Sequence, residues 1–167
     1  MQKQNETQLR KKLLGDTIGT VIVTAMSILV GAYYVYMIFS TAYPEGTALS
    51  MQRAQTMIFL QNGITYLLIG AALVFLCLAL FEIRRTGKPF SKSIIRDLRI
   101  MAWLLVADAL SPFITMVIAF FTSVDNTGRA TFVHFNLFTF IFAVILLIIS
   151  EIFSYGYALQ EDVDSIA

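Results

Sequence analysis

Four apolar runs, each long enough to cross a bilayer and nearly free of charge, constrain this chain more than any other feature. A hydrocarbon core of about 30 Å asks for about 20 residues of helix. The runs extend over about Thr17–Phe39, Met57–Phe81, Ile100–Phe121 and Phe132–Phe153. They are continuous rather than alternating, which excludes the dyad pattern of a transmembrane β-barrel. Composition points the same way. Hydrophobic residues make up 57% and charged ones 14%, where soluble domains carry about 45–50% and about 25%. The expected fold is all-α: one polytopic membrane domain over residues 1–167, a four-transmembrane-helix bundle with a short cytoplasmic amphipathic helix before the third span.

Basic residues set the orientation. The leader carries Lys3, Arg10, Lys11 and Lys12, and the second connection carries Arg84, Arg85, Lys88, Lys92, Arg96 and Arg99. The other two connections carry Arg53 and Arg129 alone. Positively charged loops stay inside, so both termini are expected in the cytoplasm. The first apolar run exceeds the roughly 7–15 residues of a signal-peptide core, and reads as a retained span. Tyr33, Tyr34, Tyr36 and Tyr43 cluster towards its outer end, where interfacial aromatics belong.

Chemistry-bearing residues are sparse. Cys77 is the lone cysteine and His134 the lone histidine, so no zinc spacing exists and no cofactor or metal is expected. Catalysis through a Cys–His or Ser–His pair would have to use that one histidine, and a non-enzymatic role is expected. Direct nucleic-acid binding is not.

Asp108 is the most informative position. It lies about 12 Å into the third span at 1.5 Å per residue, where an aspartate costs about 2.5–3.5 kcal/mol to insert. It should therefore face the bundle interior. Ser111, Pro112 and Thr115 share its face, and Pro112 frees the Asp108 carbonyl. Thr24 in the first span and Tyr66 in the second are candidate partners, with Asn62, Thr65, Asn136, Thr139 and His134 adding polar groups in the outer half. Two readings stand: interhelical hydrogen bonds that hold the bundle, or a proton- or ligand-responsive site. Gly15 with Gly19, and Gly63 with Gly70, have close-packing spacings that are compatible with a homo-oligomer.

On the cytoplasmic side, Gly87 and Pro89 break the second helix and Ser91 is placed to cap the next. Ile94, Ile95, Leu98, Met101 and Ala102 then recur at helical spacing opposite Lys92, Arg96 and Arg99. This amphipathic lead-in suits either anionic-lipid contact or an acidic partner. After the fourth span the helix should continue past Glu151, and the acidic tail could pair with the basic loop.

The stretch GKPFSKSIIRDLRIMAW, followed by ISEIFSYGYALQEDVD, resembles a family of small bacterial inner-membrane proteins known as domain of unknown function 2975. Its pattern is matched by Gly87, Pro89 and Phe90 before the third span. After the fourth it is matched by Ser150, Glu151, Ile152, Phe153, Tyr155, Gly156, Leu159, Gln160 and Asp164. The resemblance implies four spans, a bacterial inner membrane and genetic neighbourhood with a small helix-turn-helix regulator, hence a cytoplasmic protein partner. It implies no activity. Three functions follow as expectations: a membrane regulator or sensor binding a partner through Gly87, Pro89, Phe90, Arg96, Arg99, Glu151, Tyr155, Gly156, Gln160 and Asp164; a proton-coupled transporter or channel subunit using Asp108, Ser111, Thr115, Thr24 and Tyr66; and, least supported, an intramembrane enzyme.

Overall fold

The computed structural model describes residues 2–46, 49–87, 91–121 and 136–166. Four helices account for nearly all of them: α1 (Gln2–Ser40), α2 (Leu49–Thr86), α3 (Lys92–Phe121) and α4 (Leu137–Ile166). All four are long and apolar enough to cross a membrane. With 39 and 38 residues, α1 and α2 reach about 57 Å at 1.5 Å per residue, well beyond a hydrocarbon core of about 30 Å. Each therefore extends past the bilayer.

The helices pack in chain order, α1 on α2, α2 on α3 and α3 on α4, with no other close pair among the described residues. The bundle is a row rather than a closed ring. In α3, 44% of the most apolar stretch is buried by protein, against 11–17% in the other three, so α3 is the helix around which the core forms. Ile94, Leu98, Met101, Ala102 and Leu105 of α3 meet Ala72 and Ala79 of α2 and Ala143 and Leu146 of α4. Small residues on the flanking helices let the larger α3 side chains interlock, which is how apolar helices associate when lipid is as apolar as they are.

The amphipathic stretch before the third span is not a separate helix. It forms the first turns of α3, continuous from Lys92. Ile94, Ile95, Leu98, Met101 and Ala102 are all buried, because this apolar face finds α2 and α4 instead of a lipid surface. The join is made by local chemistry. Gly87 takes a positive φ of 68°, and its N–H donates to Ile83 O at 2.8 Å, closing α2 in the left-handed conformation that favours glycine. Ser91 Oγ then accepts the Ile94 N–H at 3.3 Å as an N-cap. α3 runs through Pro112 without interruption.

The α1–α2 interface depends on missing side chains. A Cβ at Gly70 would come within 2.8 Å of Ile28 Cγ1, and one at Gly31 within 3.0 Å of Leu67. Gly63 faces Val35 and Tyr34 at ordinary contact distance, whereas a Cβ at Gly15 or Gly19 would meet nothing. The second glycine stripe thus packs helices within the chain, and the first faces no other helix among the described residues. Beside the interface, Tyr34 stacks on Tyr66 with ring centroids 5.7 Å apart and contacts Phe59. Tyr43 reaches across from the α1 end to α2, its hydroxyl 3.2 Å from Thr56 Oγ1.

Candidate functional site

Two groups of polar side chains interrupt the apolar packing. The first lies between α2 and α3, inside the membrane-spanning part. Asp108, Ser111 and Thr115 are 3%, 2% and 0% exposed. They occupy one face of α3 because i, i+3 and i+7 fall together on a helix. Across from them stands Gln61, near the start of the apolar run of α2. Its Nε2 donates to Ser111 Oγ at 2.8 Å and to Thr65 Oγ1 at 3.4 Å. Its Oε1 accepts from the Thr115 hydroxyl, which also lies 3.1 Å from the Ser111 carbonyl oxygen. One amide thereby links both hydroxyls of α3 to a hydroxyl of α2. Thr65, one turn further along α2, stands near the Asp108 carboxyl. The second carboxyl oxygen, Oδ1, is buried with no hydrogen-bond partner among the described residues.

The other expected members stand elsewhere. Thr24 is buried at the α1–α2 interface, donating to Thr20 O at 2.7 Å, with its hydroxyl 3.6 Å from Cys77 Sγ. Tyr66 stacks on Tyr34 and lends its backbone carbonyl to the Ser27 hydroxyl at 3.3 Å. α1 makes no close contact with α3, which keeps Thr24 apart from Asp108, and the Tyr66 ring lies against Tyr34 of α1 instead of joining the polar group. Among the outer-half groups, Thr65 does join, while His134 lies outside the described residues. Gln61 is the member that sequence reasoning missed. A glutamine four residues before a threonine within TMIFLQNGITYLLIG was its signal, masked by the more conspicuous Asn62 beside it.

The second group sits at the basic end of the bundle, where α3 begins beside the later turns of α4. Arg99 Nη2 lies 2.7 Å from Glu151 Oε1, joining the two helices. Lys92 Nζ rests 5.2 Å from the centroid of the Tyr157 ring. Arg96 places Nε and Nη2 at 3.1 and 3.0 Å from Asp97 Oδ1. Asp97 is 2% exposed, so a buried carboxylate holds this guanidinium against the helix while the cation itself stays in contact with its surroundings. Tyr155 points outward at 69% exposure, Gly156 and Gln160 are half-buried, and Asp164 falls in the last turns of α4. Gly87 caps α2 as described, and Pro89 and Phe90 lie outside the described residues. Of the expected surface, the structure brings together Arg99 with Glu151, keeps Lys92 and Arg96 on the same basic flank, and adds Asp97 and Tyr157.

Four apolar helices packed in sequence, with charge gathered towards their ends apart from buried Asp108, define a multi-pass membrane protein. The model of the family described as "Protein of unknown function (DUF2975)" matches residues 52–166, well over half of the chain, and the protein belongs to that family. No curated protein and no solved structure matches it. The matched region takes in nearly all of α2, the whole of α3 and α4 and both polar groups, and leaves out all of α1.

Proposed function

We propose that this is a non-enzymatic regulator or sensor of the bacterial cytoplasmic membrane, with both termini inside, whose cytoplasmic face binds a partner protein. One observation carries the reading: α4 continues well beyond the level of its ion pair with α3 and leaves an apolar stripe uncovered. Arg99 and Glu151 form an ion pair between the two helices, and a charged pair suits the polar boundary of the bundle better than its apolar interior. From Glu151 the helix runs on to Ile166, about 22 Å further at 1.5 Å per residue. Along it Tyr155, Leu159 and Val163 recur at four-residue spacing and are 69%, 49% and 66% exposed. Glu161 and Asp162 flank them. A helix with an apolar stripe beside acidic residues suits a groove lined by apolar and basic side chains, such as a small helix-turn-helix regulator could offer. The positive-inside bias of the connections supports the cytoplasmic placement.

The test is in-cell crosslinking with mass spectrometry, comparing the full chain with one lacking Gln160–Ala167. A specific cytoplasmic protein that disappears on truncation establishes the reading and names the partner. Self-crosslinks alone, unchanged by truncation, refute it.

The buried carboxyl of Asp108 favours a second reading, a proton-coupled transporter or channel subunit. An ionisable group inside a membrane bundle commonly marks an ion or proton path. If Asp108→Asn leaves every flux and resistance phenotype of the intact cell unchanged, that reading fails.

A further inference from the structure

We propose that the groove between the start of α3 and the later turns of α4 is a binding site for an anionic phospholipid. Its phosphate would sit among Lys92, Arg96 and Arg99, and an acyl chain would lie along Ile100 and Trp103. The groove is a cavity of about 370 Å³, open on one side, and its walls also include Ile95, Ser154 and Tyr157.

Three observations converge on it. The cations stand at i, i+4 and i+7 on one flank of α3, and each is held in place by a different neighbour. Lys92 lies over the Tyr157 ring, Arg96 is fixed by buried Asp97, and Arg99 is tied to Glu151. All three remain accessible, since Lys92 is exposed and the Arg96 and Arg99 side chains are 67% and 46% exposed. A guanidinium held by one carboxylate oxygen keeps further N–H donors for phosphate.

The groove also changes character along its length. From Lys92 to Trp103 is about 16 Å of helix, running from the polar end of α3 into its membrane-spanning stretch. Trp103, 59% exposed, stands one turn inside Arg99, the level at which indole rings settle in a bilayer interface. A free phosphate would use only the upper half. A headgroup with its acyl chain uses both. Basic pockets between membrane helices take anionic headgroups by this chemistry.

The site asks for a phosphomonoester or phosphodiester headgroup without a compensating cation. Phosphatidylglycerol meets that requirement and phosphatidylcholine does not. The experiment is native mass spectrometry of the full chain, released from detergent with one lipid or the other and with glycerol phosphate as the soluble headgroup. Phosphatidylglycerol should be retained through activation energies that strip phosphatidylcholine. Lys92→Gln with Arg96→Gln should weaken phosphatidylglycerol binding about 25-fold, at about fivefold for each charge. Lys92→Arg with Arg96→Lys should restore it, which separates lost charge from a damaged fold. Arg84→Gln with Arg85→Gln, equally basic but outside the groove, should leave it within about twofold. Trp103→Ala should weaken the lipid without a matching effect on any glycerol phosphate retained.

Equal retention of the two lipids would overturn the proposal. So would an equal loss in the Arg84/Arg85 variant, which would reduce the effect to general surface charge. Glycerol phosphate competing at the concentration of the lipid would assign the groove to a soluble anion instead.

Discussion

Gln61 holds more of the membrane-embedded polar group together than Asp108 does. Its amide serves Ser111, Thr115 and Thr65 at once, whereas Asp108 has Thr65 beside it and leaves Oδ1 without a partner among the described residues. Hydrogen bonds between membrane helices average about 0.6 kcal/mol and reach about 1.7. Gln61→Leu, which forfeits two of them and one more bond within α2, should therefore destabilise the fold by about 1–3 kcal/mol. Asp108→Asn keeps the shape and an acceptor for Thr65, and should cost less than about 1 kcal/mol. Reversible unfolding in mixed micelles would rank the two variants, and the reverse order would show that the carboxylate organises the cluster. The sequence announced Asp108 because a carboxyl in an apolar run is costly to insert and must find polar company. It was silent on Gln61, a neutral residue next to Asn62 whose side depends on how α2 is rotated. Periodicity on one helix says which residues share a face. It does not say which face of the next helix they meet, and so Thr24 and Tyr66 were paired with a carboxyl they do not approach.

At the level of elements, the two ends of the row are held by different physics. α1 is bound to α2 by close approach: Gly70 leaves no room for a Cβ beside Ile28, nor Gly31 beside Leu67. Replacing Gly70 with Val should push α1 away. The protein carries its own reporter, since Thr24 Oγ1 lies 3.6 Å from Cys77 Sγ. Thr24→Cys should crosslink to Cys77 on mild oxidation, and adding Gly70→Val should reduce that crosslink severalfold. Undiminished crosslinking would mean that α1 does not depend on the glycine. At the other end, α3 and α4 share apolar contacts topped by the Arg99–Glu151 pair. An exposed pair contributes about 0–1 kcal/mol and weakens with salt. A double-mutant cycle with Arg99→Gln and Glu151→Gln should return a coupling below about 1 kcal/mol that fades by about 1 M salt. A larger, salt-resistant coupling would make the pair a structural lock rather than a contact a partner could reopen. The helices themselves were legible, because a run of about 20 apolar residues permits little else. That the lead-in to α3 is continuous with it was not legible: an amphipathic turn looks the same whether its apolar face meets lipid or, as here, Ala72 and Ala79 of α2 and Leu146 of α4.

For the whole molecule, the row arrangement has a consequence for topology. With each helix packed only on its chain neighbours among the described residues, insertion can proceed one hairpin at a time, and this packing does not oppose a flip of the entire row. Orientation then rests on the distribution of charge. The leader and the second connection hold Lys3, Arg10, Lys11, Lys12, Arg84, Arg85, Lys88, Lys92, Arg96 and Arg99, against Arg53 and Arg129 on the other side. Short-loop lysine and arginine dominate this choice. A reporter active only in the cytoplasm should therefore work when fused after Ala167 and fail when fused within the connection between α3 and α4. Moving the bias should move the protein: neutralising Lys3, Arg10, Lys11 and Lys12 and adding four lysines beside Arg53 leaves α1 with a strongly inverted drive. The six basic residues of the second connection would still favour the original placement of α2 and α3. The expected outcome is frustration, with α1 failing to cross while α2–α4 keep their orientation and their mutual packing. Complete inversion of all four helices would show instead that the first hairpin dictates the rest. In that event the Arg99–Glu151 end would face outward, and a cytoplasmic partner for α4 would lose its access.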